Sequence, residues 1–199
     1  MRVILASKSP RRREILSSLG VRFDIVSADA DESSDITDPV VLVRELALRK
    51  GRATRELLRA RGEWTEDTLV IASDTVVANG SDILGKPRDS EDATCMLRAL
   101  SGHAHRVISG VALLYGEREM SDADVTNVRF ATMSEADIAW YVASGEPNDK
   151  AGSYAVQGLA SLFIEGLEGD YFNVVGLPVY RLNALCRDFV GKTLIDLNK

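Results

Sequence analysis

Apolar and polar positions along the chain switch repeatedly between the period of a strand and the period of a helix. Residues 3–6 (VILA) are a short apolar run of the kind a buried strand makes. Ser9 and Pro10 follow as helix cap and first helical residue. Ile15, Leu16 and Leu19 then form an inward stripe, and Gly20 is the stop. A second strand is predicted over 23–26, and an acidic, polar surface loop over 29–37. Asp38-Pro39 opens a long helix to about Arg61, with an apolar stripe through Val43, Leu46, Ala47 and Leu57. Residues 69–72 are continuously apolar, which predicts a central strand covered on both faces. That strand runs on through 74–77 to a hairpin turn at Asn79-Gly80. Ser90 or Asp89 caps the next helix, which Ser101-Gly102 closes. Strands are predicted over 107–114 and 123–131. Ser134 and Asp137 make a capping-box-like start for a helix through Ile138, Tyr141 and Val142, stopped by Gly145. Two short strands are predicted over 162–164 and 172–175. Pro178 opens a last helix with Leu182, Leu185 and Phe189 inward. Helices alternating with strands predict a mixed α/β fold.

Length and composition narrow the classes. The 199 residues are enough for one domain. It is read as divided into two lobes, with residues about 30–140 forming much of the second, which faces the terminal segments across a cleft. An apolar fraction of 45% excludes a disordered chain. The charge, 24 − 30 = −6, weighs against a general nucleic-acid binder but leaves room for a small anion in a local basic pocket. No apolar run approaches the roughly 20 residues of a membrane helix, and the first residues lack the h-region of a secretory signal. Cys95 and Cys186 belong to no CxxC pattern. That argues against a disulfide framework or a thiolate zinc site and suits a reducing cytosol.

Several positions break the local rules. Arg11, Arg12 and Arg13 fill the first turn of the first helix, where the dipole disfavours cations. Either they are solvated, the reading preferred for Arg13, or the helix start binds an anion, with its free N–H groups and the Ser7-Lys8-Ser9 loop at a strand's carboxyl edge. Asp74 ends an apolar run; a buried carboxylate must be paired, bound to a metal or bonded to a neighbouring loop. Lys50 shares the inward stripe of Val43, Leu46 and Ala47, where a lysine ordinarily snorkels to the edge. Lys86 is held between Gly85 and Pro87, without the spacing of a phosphate-binding P-loop. Asp149 to Gly152 and Gln157-Gly158 sit in a loop of small residues, which is either a connector or the lining of a ligand site. His103 and His105 read as two residues of one strand rather than a metal fragment.

Six stretches carry a family resemblance. SKSPRRREIL (7–16), SDTVV (73–77), GKPRD (85–89), SGHAHRV (101–107), GEPNDKAGSYAVQG (145–158) and GDYFNVVGLP (169–178) occur in order over nearly the whole chain. They resemble the Maf family of nucleoside triphosphate pyrophosphatases. The resemblance implies an α/β fold with two lobes around a deep cleft, similar in outline to inosine triphosphate pyrophosphatases. It implies hydrolysis of a nucleoside triphosphate to the monophosphate and pyrophosphate with a divalent cation, Mg²⁺ or Mn²⁺, in a cytoplasmic protein that is commonly a homodimer. Carried over residue by residue, Asp74 matches the proton acceptor. Arg11, Thr75 and Gln157 match positions that mark nucleotide choice. Arg12, Glu32, Lys50 and Lys86 match further cleft positions. Ser7, Arg12, Lys50 and Lys86 are then candidate phosphate contacts, and Glu32 and Asp74 candidate metal ligands. Asp74 either takes a proton from water or holds the metal that acidifies it. SPRR, SDT and the glutamine of QG resemble the branch acting on dTTP and UTP, whereas the branch acting on 7-methyl-GTP typically has a glutamate there. A departure is Gly51, where alanine is more usual. The competing readings are a pyrophosphatase for 7-methyl-GTP or another modified nucleotide, and a non-enzymatic regulator of septum formation. No stable nucleic-acid or membrane partner is expected.

Overall fold

Seven strands make one mixed sheet in the computed structural model, which describes residues 1–199. Its order is β2 (Asp24–Ile25), β1 (Arg2–Leu5), β3 (Thr68–Asn79), β5 (Ala104–Tyr115), β6 (Arg118–Phe130) and β7 (Ile164–Glu168), with β4 (Asp82–Leu84) paired to the far end of β3. β1 lies parallel to both β2 and β3; all other pairs are antiparallel. The helices are α1 (Pro10–Ser18), α2 (Pro39–Ala60), α3 (Ser90–Leu100), α4 (Glu135–Ala143), α5 (Tyr171–Val175) and α6 (Val179–Val190). No helix is long and apolar enough to cross a membrane.

Local chemistry accounts for most boundaries. Asp38 caps α2 by accepting from the N–H groups of Val40 and Val41, and Asp89 caps α3 through Asp92 N–H. The capping box of Ser134 and Asp137 forms in full. The side chain of Ser9 stands at the start of α1 without capping it, contrary to the sequence reading. Leu58, rather than Leu57, continues the buried stripe of α2. Two predicted strands change identity. Residues 172–175 are α5, because Asp170 caps that turn at Phe172 N–H (2.7 Å) and Gly176, at φ +119°, ends it. Five residues rich in aromatic and β-branched side chains look like a strand by propensity, and the two caps override it. Residues 162–164 mostly form a 3₁₀ turn (Leu159–Phe163) that leads into β7. β6 begins at Arg118, five residues before the apolar alternation, since β5 pairs with it residue for residue from Tyr115 down.

One face of the sheet packs α1 and α6 through Leu16, Leu182 and Phe189 onto Leu5, Leu69 and Val111. The other packs α2 through Ala47 and Leu58 onto Ile4, Val70 and Leu114. A third cluster, of Leu97, Val107, Phe130, Tyr141 and Tyr154, closes the end beyond β4. His105 stands edge-on to Phe130 and Tyr154 there, 5.2 and 5.3 Å between ring centres. Burial lowers its pKa to about 4, so the imidazole is neutral and structural. His103 lies just before β5, bonded to the Ser101 carbonyl.

Helix α2 touches the sheet backbone to backbone. A Cβ on Gly110 of β5 would fall 2.3 Å from the Val43 carbonyl oxygen. Gly110→Ala is therefore expected to cost about 3 kcal/mol, the upper part of the overpacking range, because a backbone atom cannot rotate away. Urea denaturation measures it; a loss under about 0.5 kcal/mol would show that α2 is free to move.

Candidate active site

The sheet leaves a gap in one edge of β3. β1 pairs with β3 as far as Leu5–Ile71, and β4 joins only at Val77–Leu84. Residues 72–76 therefore have β5 on one side and no strand on the other. Asp74 and Thr75 sit in this gap and, as neighbours on a strand, point to opposite faces. A cleft of about 770 Å³ opens over it. Its walls come from the β1–α1 loop, the 27–32 loop, Lys50 of α2, Lys86 and the 149–157 segment.

The α2 wall is where charges pair. Asp74 is 7% exposed. Its Oδ1 accepts from Lys50 Nζ, which also stands 2.9 Å from Glu32 Oε1. Lys50 thus does not snorkel: its ammonium crosses to the strand and is held between two carboxylates. Gly51 lets α2 come close to the sheet. It is buried against Leu114, whose Cδ1 lies 2.3 Å from where a Cβ would be.

The facing wall is cationic. Pro10, the first residue of α1, has no N–H, and no side chain caps those of Arg11 and Arg12, two residues that line the cleft. Arg12 is fixed by three acceptors: the Gly176 carbonyl (2.8 Å), Ser7 Oγ (3.3 Å) and Thr75 Oγ1 (3.1 Å). Two of its five N–H donors remain for a ligand. Burial pulls this guanidinium below its ordinary pKa, with Asp74 opposing and Arg11 adding to the effect. Arg11 stands 3.8 Å from Asp149, whose other oxygen takes Lys150. Lys86 is exposed at the rim. Gly85, just before it, accepts from Gly152 N–H (3.0 Å), so the two loops are joined. Gln157 is exposed in the cleft, and its neighbour Gly158 passes so close to Glu146 that a Cβ would lie 2.1 Å from Oε2. Glu146 in turn accepts from Tyr141 Oη (2.8 Å) and Leu159 N–H (3.0 Å), anchoring the loop that carries Gln157. Burial, then the Glu146 bond, holds the Tyr141 phenol protonated.

The model of the Maf family, described as Maf-like protein, matches residues 2–189. The chain belongs to the Maf family. Relatives of this Maf protein include the dTTP/UTP pyrophosphatase of Anaeromyxobacter sp., 48% identical over 191 residues (94% of this chain, 88% of that protein). Those of Hahella chejuensis and Symbiobacterium thermophilum, also dTTP/UTP pyrophosphatases, are 46% and 44% identical over 196 and 188 residues. They cover 98% and 94% of this chain, and 96% and 93% of their own lengths. The Staphylococcus aureus Ham1 protein superposes with a TM-score of 0.44 at 13% identity, over 66% of this chain and 72% of that one.

In this Maf chain the residues singled out from sequence come together. Ser7, Arg11, Arg12, Glu32, Lys50, Asp74, Thr75, Lys86 and Gln157 all line the one cleft. Arg13 points to solvent. Lys150, in the loop read as either a connector or the lining of a ligand site, lines it too, as does Tyr154, to which the sequence assigned no role. The signal for Lys150 was its place beside Asp149 in a small-residue loop; Tyr154 carried none that distinguishes it from a core aromatic.

Proposed function

We propose that this protein hydrolyses dTTP and UTP to the nucleoside monophosphate and pyrophosphate, removing these nucleotides from the cellular pool. The observation that carries the reading is that Arg12 and Lys86 line one cleft with a nearly buried carboxylate, Asp74, which Lys50 holds. A triphosphate brings about four negative charges, and free N–H groups of a helix start with guanidinium and ammonium groups are the donors that stabilise them. The names of the relatives agree with it.

In this reading the phosphates lie between α1 and Lys86. Water attacks the α-phosphorus from the side of Asp74, which accepts its proton as pyrophosphate leaves. Asp74 and Glu32 also fit a divalent cation. Both reach the same Lys50 ammonium, which places two carboxylates near one point of the cleft, and hard carboxylate oxygens suit Mg²⁺ or Mn²⁺. No cluster of three acidic, His or Cys side chains is present, so phosphate oxygens and water would complete the set. The metal would supply neutralisation of developing charge on the phosphates. Gln157, Arg11 and Thr75 would read the base. The family resemblance supports a cytoplasmic homodimer, which sedimentation of the purified protein tests.

The deciding assay is pyrophosphate release by purified protein with Mg²⁺ or Mn²⁺ across dTTP, UTP, CTP and 7-methyl-GTP. Turnover of none would favour the regulatory role instead. Two variants test the phosphate wall. Lys86→Ala, exposed at the rim, should lower kcat/KM by about tenfold or more with unchanged melting, as a charge-assisted contact is worth roughly 1.5–3 kcal/mol. Arg12→Ala should lose at least as much activity with a small cost in stability, since Ser73 Oγ still donates to Gly176 O (3.0 Å). Wild-type kinetics for both would mean that the phosphates lie elsewhere.

A further inference from the structure

Behind Thr75 a chain of hydrogen bonds runs away from the cleft into the sheet. Thr75 and Ser109 are direct cross-strand partners of β3 and β5, with their hydroxyl oxygens 2.8 Å apart. Ser109 Oγ also lies 2.8 Å from the backbone carbonyl of Asn173 in α5. That carbonyl can only accept, and a serine hydroxyl has one proton. The arrangement that satisfies both contacts sends the Ser109 proton to Asn173 and the Thr75 proton to Ser109. Thr75 is then left with lone pairs facing outward, one of which takes Arg12 Nη2 (3.1 Å).

Asn173 is itself held with no freedom. Its Oδ1 accepts from Ser109 N–H (3.0 Å), and its Nδ2 donates to the Val107 carbonyl and Thr126 Oγ1, both at 2.9 Å. Two of these partners are backbone groups with one possible role each, so the amide orientation is determined. Ser109 and Asn173 are both fully buried, and neither lines the cleft. Buried polar groups of this kind hold one another in a single arrangement when every member is satisfied.

We propose that Ser109 and Asn173 are positioning residues. They commit the Thr75 hydroxyl proton inward and so keep Thr75 as a fixed acceptor that orients Arg12 toward the phosphates. The inference rests on the pyrophosphatase reading of the cleft. It makes Thr75 an acceptor-only surface for any nucleotide group that meets it.

The test is a double-mutant cycle with Ser109→Ala, Thr75→Val and the two combined, measured as kcat/KM for dTTP. In the wild-type background Ser109→Ala should lower kcat/KM about tenfold, the worth of one net hydrogen bond. In the Thr75→Val background, where no hydroxyl is left to orient, it should change kcat/KM by less than about twofold. A residue that only supports the fold would lower both backgrounds by the same factor, and that result overturns the proposal, as does a Ser109→Ala enzyme within about twofold of wild type. Should the alanine variant not fold, Ser109→Cys fills the space without a strong donor and is carried through the same cycle; failure of both to fold makes Ser109 structural and overturns the proposal too. A wild-type protein that releases no pyrophosphate from any nucleotide sinks the functional reading instead, so the two failures are told apart.

Discussion

Asp74→Asn is expected to slow pyrophosphate release from dTTP by about 10²–10⁴-fold, the worth of a general base, while the protein stays folded. The substitution keeps shape and removes charge. Ordinarily, taking one member from a buried ion pair costs about 3–5 kcal/mol. Here Lys50 keeps Glu32 at 2.9 Å as a second, solvent-facing partner, so the loss of stability should be well below that. The measurement is kcat at saturating substrate beside a thermal melt. Titration with Mg²⁺ separates the two roles open to Asp74. A lost base leaves activity low at every metal concentration, whereas a lost ligand is partly restored as metal rises. Near wild-type kcat would remove Asp74 from the chemistry.

Nucleotide ranking should turn on Gln157. Wild type is expected to hydrolyse dTTP and UTP well, CTP poorly and 7-methyl-GTP hardly at all. Uracil and thymine present an N3–H between two carbonyls, and a neutral amide can both accept and donate there. Cytosine lacks that proton and donates where uracil accepts, which leaves site groups unpaired; such mismatches reach about 10⁴-fold or more in discrimination. Gln157→Glu removes the donor and adds a charge opposite two carbonyls. It should lose dTTP activity and shift preference toward the cationic base of 7-methyl-GTP. Because Gln157 is exposed in the cleft while Gly158 and Glu146 hold the loop, this change should not disturb the fold. An unchanged ranking in the four-nucleotide panel would move the base pocket elsewhere.

Much of the site was legible before the fold because charge stood where the pattern called for apolar residues. Asp74 ended an apolar run, and three arginines filled a helix start that disfavours them. The roles of neighbours were less legible. Periodicity put Lys50 on the buried stripe of α2, yet a snorkelling lysine and a lysine bonded to Asp74 have the same spacing; only the docking of α2 at Gly110 separates them. Ser109 sits inside the apolar stretch VISGVALL and Asn173 inside a segment that reads as a strand. Nothing local marks either as polar partners 64 residues apart.

By itself the sequence determined most helix starts and stops, the long central strand, the α/β class and the family, since caps, turns and periods are written in neighbours a few residues apart. Tertiary structure alone decided that residues 72–76 lie at an open edge between β1 and β4, and that Arg12 meets Thr75. Those outcomes depend on which backbone groups find partners far along the chain, and a buried donor or acceptor is bound to find one wherever the packing places it. Periodicity specifies which side chains face inward; it carries no record of which strand ends first, and it is the early end of β1 that leaves the gap where Asp74 and Thr75 face the cleft.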